Sequence, residues 1–300
     1  MYYNALSPYL RERFGCKVYK LALQGGMTCP NRGGTKGAGG CIFCSQSGSG
    51  DFAQAQCGDV AAQIRAAKER VSGKLKDGAY IAYFQDHTNT YAPVQVLERL
   101  FSAALEPPDV VGLSIATRPD CLGPEVIALL SGLNRVKPVW VELGLQTIRE
   151  DTAERINRCY PLSCYDRAMD ALGAAGLERV VHMILGLPGE DEADMAATAR
   201  YIGQSGAEGI KLQLLHVLRG TPMEALWRQG KAPVMDIESY CHALAACLAV
   251  LPKQVVIHRL TGDGAKRDLL APLWTGNKKY VLNYVNQYFQ AHNVTQGSAL

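Results

Sequence analysis

The chain has no run of about 18 apolar residues, the length a membrane-spanning helix needs, so no transmembrane segment and no membrane partner are expected. Its first residues mix Tyr, Pro, Arg and Glu and lack the continuous apolar stretch of a secretory signal, so a cytoplasmic location is expected. Neither sign of charge dominates: 31 Lys and Arg against 28 Asp and Glu leave a formal charge of +3, which neither demands nor excludes a nucleic-acid partner. There is no Gly-x4-Gly-Lys-Ser/Thr loop, so nothing calls for ATP. No internal repeat and no clear linker divides the chain. Cysteine, by contrast, is plentiful. Ten cysteines in a cytoplasmic chain point to metal, catalysis or plain burial rather than disulfides.

With 300 residues, 48% of them hydrophobic, the chain can bury a full core. Short apolar or β-branched runs at 18–23, 79–84, 110–115, 139–143, 180–185, 210–217 and 255–260 read as strands. Amphipathic segments at 60–71, 94–105, 124–131, 164–175, 192–202 and 237–250 read as helices between them. Strands alternating with helices make parallel βαβ units. The fold expected is therefore α/β, a parallel (βα) partial barrel of six or seven strands with a short C-terminal helical extension. A doubly wound open sheet stays possible, because periodicity does not reveal closure. Residues 1–260 are expected to form the barrel, with 261–300 packed on it rather than standing as an independent domain. The extension contains an aromatic helix at 278–290, and its last residues, 294–300, read as frayed.

One segment departs from this pattern. Residues 25–51 follow the first strand, are rich in Gly and Ser, and contain three cysteines. A long loop inside a compact domain is usually functional. In parallel α/β barrels the C-terminal strand ends, where this loop sits, carry the active site. Cys29, Cys41 and Cys44 read Cys-x11-Cys-x2-Cys. The pair Cys41-Ile-Phe-Cys44 sets two soft thiolate donors close together, as an iron–sulfur cluster or zinc requires. Glycines at 33, 34, 37, 39 and 40 permit a tight wrap around such a centre. Three ligands to a cubane leave one iron open for a small molecule. The alternative is a structural zinc site completed by Cys16, although zinc sites usually show two close cysteine pairs. Cys57, Cys121, Cys159, Cys164, Cys241 and Cys247 show no ligand spacing and read as small buried hydrophobes.

The run from Cys29 to Cys44, with Phe43 just before the last cysteine, resembles the cluster loop of radical S-adenosylmethionine (SAM) enzymes. Its long first spacing is similar to that of the branch near the elongator catalytic subunit. The runs at 83–93, 114–120, 142–146, 182–190 and 258–263 carry the resemblance along nearly the whole chain. Together they look like the compact bacterial MnmL (YtqA-like) type, a group associated with the wobble uridine of tRNA. The chain departs from elongator proteins in having no acetyltransferase domain and no appended RNA-binding module.

The resemblance implies a 4Fe-4S cluster on Cys29, Cys41 and Cys44, with SAM at the open iron. It implies cofactor contacts from Phe43 and from Gln85 or Asp86 at the end of the second strand. Gly186, at the start of Gly-Leu-Pro-Gly, would lie on the adenine side. Asp86 could equally be a loop turn, and Gly186 part of a plain strand-to-helix turn. Ser114 and Arg118 end the third strand. Arg118 could clamp a carboxylate of SAM or substrate, or simply pair with Asp120. Glu142 and Gln146, offset by four along a strand, fall on one face and suit a SAM ribose or amino group, or else a structural polar layer. Lys211, Gln213 and His216 are spaced so that not all three share a face. His258 reads as a core histidine and Arg259 as a candidate catalytic cation beside Arg118.

Basic residues Arg259, Lys266, Arg267, Lys278 and Lys279, with Trp274 and Tyr280, could track phosphates and stack on a splayed base, or form a solvated face. Arg32 and Lys36 join the candidate phosphate contacts. The function expected is a radical SAM enzyme that modifies tRNA, with the carboxymethylaminomethyl side chain of wobble uridine as its target. Its reductant would be a protein such as flavodoxin or ferredoxin. The alternatives are a radical SAM enzyme acting on a small molecule or protein side chain, and a non-catalytic iron–sulfur or zinc protein.

Overall fold

The computed structural model describes residues 2–45, 48, 59–74, 77–262, 264 and 266–300, so Cys57 and part of the 25–51 loop lie outside the described residues. The strands are β1 (Val18–Leu23), β2 (Ala79–Phe84), β3 (Val110–Thr117), β4 (Val139–Gln146), β5 (Glu178–Leu185), β6 (Gly209–Leu214), β7 (Val217–Leu218), β8 (Val256–Arg259) and β9 (Leu269–Ala271). The helices are α1 (Leu6–Phe14), α2 (Val60–Val71), α3 (Val94–Leu105), α4 (Pro124–Asn134), α5 (Glu150–Arg155), α6 (Leu162–Ala174), α7 (Glu192–Gln204), α8 (Pro222–Arg228), α9 (Ile237–Ala249) and α10 (Lys278–Ala291).

Seven strands pair in the order β1-β2-β3-β4-β5-β6-β8, every pairing parallel, and the sheet curls into a partial barrel with helices outside it. Both faces of such a sheet are covered, which is why its strands read as apolar runs. Several helices start where the sequence supplies a cap. Asp59 accepts from Ala62 N at 2.8 Å ahead of α2, and Asp236 accepts from Ser239 N at 2.7 Å ahead of α9. Asp191 and Asp194 form a reciprocal capping box at α7. Leu23, Phe84, Leu113, Val141, Val181 and Leu212 from six strands are buried in one core with Phe101 and Leu244 of the outer helices.

The strand expected at 210–217 is two elements. The chain leaves the sheet after Leu214, and β7 pairs antiparallel with β9 instead. Residues 261–300 lie against the barrel: Val281, Val285 and Phe289 of α10 are buried in the main core. The tail is not frayed. Gln296 is buried; its Nε2 donates to Pro252 O at 2.7 Å and Val255 O at 2.9 Å, and its Oε1 accepts from Asn4 N at 2.9 Å. The first residues reach the same place. Ala5 bridges Ile257 in parallel, and Ile257 N donates to Asn4 O at 2.7 Å, along the outer side of β8.

Candidate active site

The C-terminal strand ends open into one cavity, and the loop after β1 forms its roof. Cys29, Cys41 and Cys44 all line this cavity, with Phe43 beside them. The loop is held by backbone and amide contacts. Asn31, fully buried, donates from Nδ2 to Asn157 O at 2.6 Å and approaches Cys41 Sγ at 3.7 Å. Asn157 Nδ2 returns to Gly40 O at 2.7 Å, and Ile42 N donates to Ile156 O at 3.1 Å. A Cβ at Gly37 would stand 2.2 Å from Asn31 Oδ1 and 2.7 Å from Cys159 Sγ, so only glycine fits there.

The donor set suits an iron–sulfur cluster. Three soft thiols reach one wall, and Cys41 and Cys44 share a hydrogen bond that lowers the Cys41 thiol to about 7 while raising Cys44. Arg118 and Arg32 add positive charge near Cys41. Among the described residues no group of three or more His, Cys, Asp or Glu is placed to hold a single metal ion. Cys16 precedes β1 and so lies beyond the opposite end of that strand, about 20 Å away at roughly 3.3 Å per residue. A zinc site completed by Cys16 is therefore excluded. Of the remaining cysteines, Cys241 and Cys247 are buried, as expected, but Cys159 is exposed, with a positive φ of 61°, against the cluster loop.

Below the roof, adjacent strands place polar side chains in one layer inside the sheet. Glu142 of β4 is fully buried at its centre. Its Oε1 accepts from Lys20 Nζ of β1 at 2.7 Å and Ser114 Oγ of β3 at 2.6 Å. Its Oε2 accepts from His182 Nε2 of β5 at 2.7 Å and from Lys211 Nζ of β6. Lys211 Nζ also donates to Tyr83 OH of β2 at 2.8 Å. Burial alone would push Glu142 up, but Lys20, Lys211 and His182 hold it well below the usual carboxylate range. Burial, reinforced by Lys211, lowers His182 to about 4, so the ring is neutral near pH 7 and donates Nε2–H. Burial presses Lys211 down to about 7 against the pull of Glu142.

The structure brings most of the expected residues together. Phe43, Gln85, Arg118, Glu142, Gln146 and Arg259 line the cavity with the three cysteines. Ser114 and Gly186 are not among the residues lining it. Ser114 is spent within the Glu142 layer, and Gly186, at φ 79°, turns under Met235, whose Sδ would meet a Cβ at 3.0 Å. Glu142 has no acceptor direction left for SAM, so it is the polar layer's centre rather than a cofactor ligand. Arg118 is likewise committed: Nε and Nη2 bind Asp120 Oδ1 and Oδ2 at 2.9 and 3.0 Å, and Nη1 donates to Arg158 O at 3.1 Å. Its Nε–Nη2 fork is thus taken by Asp120, and these three bonds use three of its five N–H groups. Gln146 does not follow the alternation expected of it, because the β4–β5 register shifts at Gly144 and Gln146 has φ 68°. Lys211, Gln213 and His216 do share the cavity, since the strand ends between the last two.

Sequence reasoning missed Lys20, Tyr83, Arg158 and Tyr160. Arg158 is buried, donates to Thr147 O at 2.6 Å, and stacks on one side of Tyr160 while Arg118 stacks on it too, at 4.7 and 4.9 Å from the ring centre. The signal for Lys20 was legible: a lysine inside the apolar run Val-Tyr-Lys-Leu-Ala-Leu of a doubly covered strand must face a polar interior.

Residues 31–202 match the Radical SAM superfamily and residues 207–291 match the Radical_SAM C-terminal domain. The chain belongs to the radical SAM superfamily. Radical SAM proteins use a 4Fe-4S cluster and S-adenosylmethionine, and the three-thiol wall fits that cluster. The chain is 45% identical over 295 residues to YtqA of Bacillus subtilis, covering 98% of this chain and 92% of YtqA. It is 27% identical over 199 residues to Elongator complex protein 3 of Drosophila melanogaster, covering 65% of this chain and 34% of that protein. Among solved structures, the archaeal Methanocaldococcus infernus Elp3 with an N-terminal deletion superposes with a TM-score of 0.70 at 17% identity, over 93% of this chain and 64% of that one, and so shares the fold. The second matched domain begins just before β6.

Proposed function

We propose that this radical SAM enzyme modifies tRNA at the wobble uridine, removing the carboxymethyl unit from a carboxymethylaminomethyl side chain. The observation that carries the reading is the shared cavity. The same open-mouthed space is bounded by the three-cysteine roof and by Lys211 and Arg259, cations that an anionic substrate side chain would require. The similarity to YtqA along 98% of the chain supports the compact bacterial branch of the family.

When bound, the cluster supplies one electron to SAM, which yields methionine and a 5′-deoxyadenosyl radical able to take an unactivated hydrogen. The protein's own residues bind, orient and exclude water. Cys29, Cys41 and Cys44 would hold the cluster, and Gln85 and Gln146 face the space beneath it as candidate SAM contacts. Tyr160, with the guanidinium groups of Arg118 and Arg158 both against its ring, is a wall of the same space. The target carbon lies between an amine nitrogen and a carboxylate, both of which delocalise a radical and weaken its C–H bond. Loss of that hydrogen to form 5′-deoxyadenosine, then of a second electron to the oxidised cofactor and of the N–H proton, would give an imine that water splits into the aminomethyl group and glyoxylate.

For the tRNA itself, Lys266, Arg267, Lys278 and Lys279 are exposed candidates for phosphate contact. Lys36 is held at 3.5 Å from Asp120, and Arg32 donates to Cys44 O at 3.3 Å, so both first serve the loop. Trp274 turns inward, its Nε1 donating to Met235 O at 3.2 Å, and leaves Tyr280 as the exposed aromatic for base stacking. Electrons would come from a flavodoxin or ferredoxin. The test is incubation of reconstituted enzyme, SAM and reductant with tRNA bearing carboxymethylaminomethyluridine, followed by nucleoside mass spectrometry. Conversion to aminomethyluridine with formation of 5′-deoxyadenosine is expected. An unchanged nucleoside, with 5′-deoxyadenosine formed only on another substrate, would reject the tRNA reading.

A further inference from the structure

The layer around Glu142 holds more positive charge than it neutralises. Lys20 and Lys211 share one carboxylate, and His182 contributes no charge near pH 7. With both amines protonated these groups carry one net positive charge, and Arg259 lines the same cavity. Lys211 is 4% exposed and lines the cavity, while Lys20 does not. Two of the three N–H bonds on Lys211 are used, by Tyr83 OH and Glu142, and the third has no acceptor among the described residues. Burial is the main cause that holds Lys211 down to about 7, with Lys20 and Arg259 adding to it, and an anion beside it would favour its charged form. Gln213, two residues along the same strand, lines the cavity as a neutral hydrogen-bonding neighbour.

We propose that Lys211 is the substrate-positioning cation of this cavity: its remaining N–H receives a carboxylate of the substrate at the floor, opposite the three-cysteine roof. The identity of that carboxylate, the carboxymethylaminomethyl group, rests on the tRNA reading above. The site itself rests on a buried amine that lines the cavity with an N–H to spare. A monoanion there pairs with Lys211, and Glu142 stays in place as the group that holds Lys211 on its strand. Arg118, the expected clamp, is already occupied by Asp120.

The experiment uses holoenzyme with SAM bound and two free nucleosides, 5-carboxymethylaminomethyluridine and 5-aminomethyluridine, titrated calorimetrically. Wild type is expected to prefer the carboxylate-bearing nucleoside by about tenfold or more, the worth of a charge-assisted hydrogen bond. Lys211→Met should erase that preference, and Lys211→Arg should retain it. A second arm replaces chloride by acetate at constant ionic strength and follows the melting temperature. Acetate should raise it saturably in wild type and in Lys211→Arg but not in Lys211→Met. If neither nucleoside binds while the acetate response depends on Lys211, the cationic floor stands and the wobble-uridine reading falls. A Lys211→Met protein that loads its cluster and keeps either response overturns the proposal, as does a wild type that shows neither. Should Lys211→Met fail to load a cluster, Lys211→Gln is read in the same way.

Discussion

Arg118 and Asp120 stand two residues apart and face each other as a complete fork, Nε to Oδ1 at 2.9 Å and Nη2 to Oδ2 at 3.0 Å. Burial would raise the Asp120 carboxyl, but Arg118 and Lys36 hold it below its ordinary value. A depressed carboxylate adds stability above its unfolded pKa and loses it as pH falls. Asp120→Asn is therefore expected to cost about 1–3 kcal/mol near pH 7. The gap to wild type should close below about pH 4, where an unfolded aspartate takes its proton. Denaturant melts at both pH values decide the matter; equal stability at pH 7 counts against the fork.

The cluster assignment is open to direct test. Anaerobic reconstitution of wild type should give a brown protein with roughly four irons per chain. Changing Cys29, Cys41 or Cys44 to Ala should remove that absorbance. Cys159→Ala should keep it, although Cys159 Sγ would stand only 2.7 Å from a Cβ at Gly37. Stoichiometric zinc without iron would defeat the assignment.

Glu142 gives the largest stability effect. Removing its charge leaves the half-buried Lys20 and the buried Lys211 without their shared carboxylate, and Glu142→Ala is expected to cost roughly 3–5 kcal/mol, as breaking a buried ion pair does. Because its folded pKa is depressed, wild type should itself lose this contribution as pH drops below about 4, the range of an unfolded glutamate. Unfolding curves of the two proteins should converge in acid. A loss of less than about 1 kcal/mol near pH 7 would remove Glu142 from the centre of the layer.

Gln146 should separate cofactor binding from folding. It lines the cavity beside the cysteine roof. Gln146→Ala is expected to weaken SAM binding by about tenfold, the loss of one hydrogen bond to a charged group, with iron content unchanged. Equal SAM affinity in variant and wild type would make Gln146 a structural residue.

Binding of tRNA should fall steeply with salt. Replacing Lys278 and Lys279 together by Ala should lower the slope of log affinity against log salt by about two, roughly one for each phosphate no longer neutralised. An unchanged slope moves the RNA surface elsewhere on the protein.

The strands of this fold were legible because a sheet covered on both faces writes itself as Val, Ile and Leu runs; β1 and β2 begin and end where those runs do. The cysteine loop was legible because glycine and cysteine have few other reasons to crowd together. What stayed hidden depends on distant partners. Nothing near Glu142 in the sequence announces Lys20, 122 residues before it, or Lys211, 69 residues after it. The run at 210–217 looked continuous because Leu215 and Val217 are buried too, in a separate cluster with Met223 rather than under the sheet. The tail at 294–300 looked frayed because its anchor is an amide, Gln296, whose partners are backbone groups.

The contact of Asn4 and Ala5 with β8 has a consequence for solubility. A sheet that curls without closing leaves two lateral borders, each offering unpaired N–H and C=O groups to another molecule. On the β8 side that border is sealed by the chain's own opening residues, through Ile257 N and the Ala5 bridge. Trimming those residues would unzip the seam and hand its hydrogen bonds to a neighbour, so such a truncated protein should self-associate while its cluster loop, at the far end of β1, remains whole.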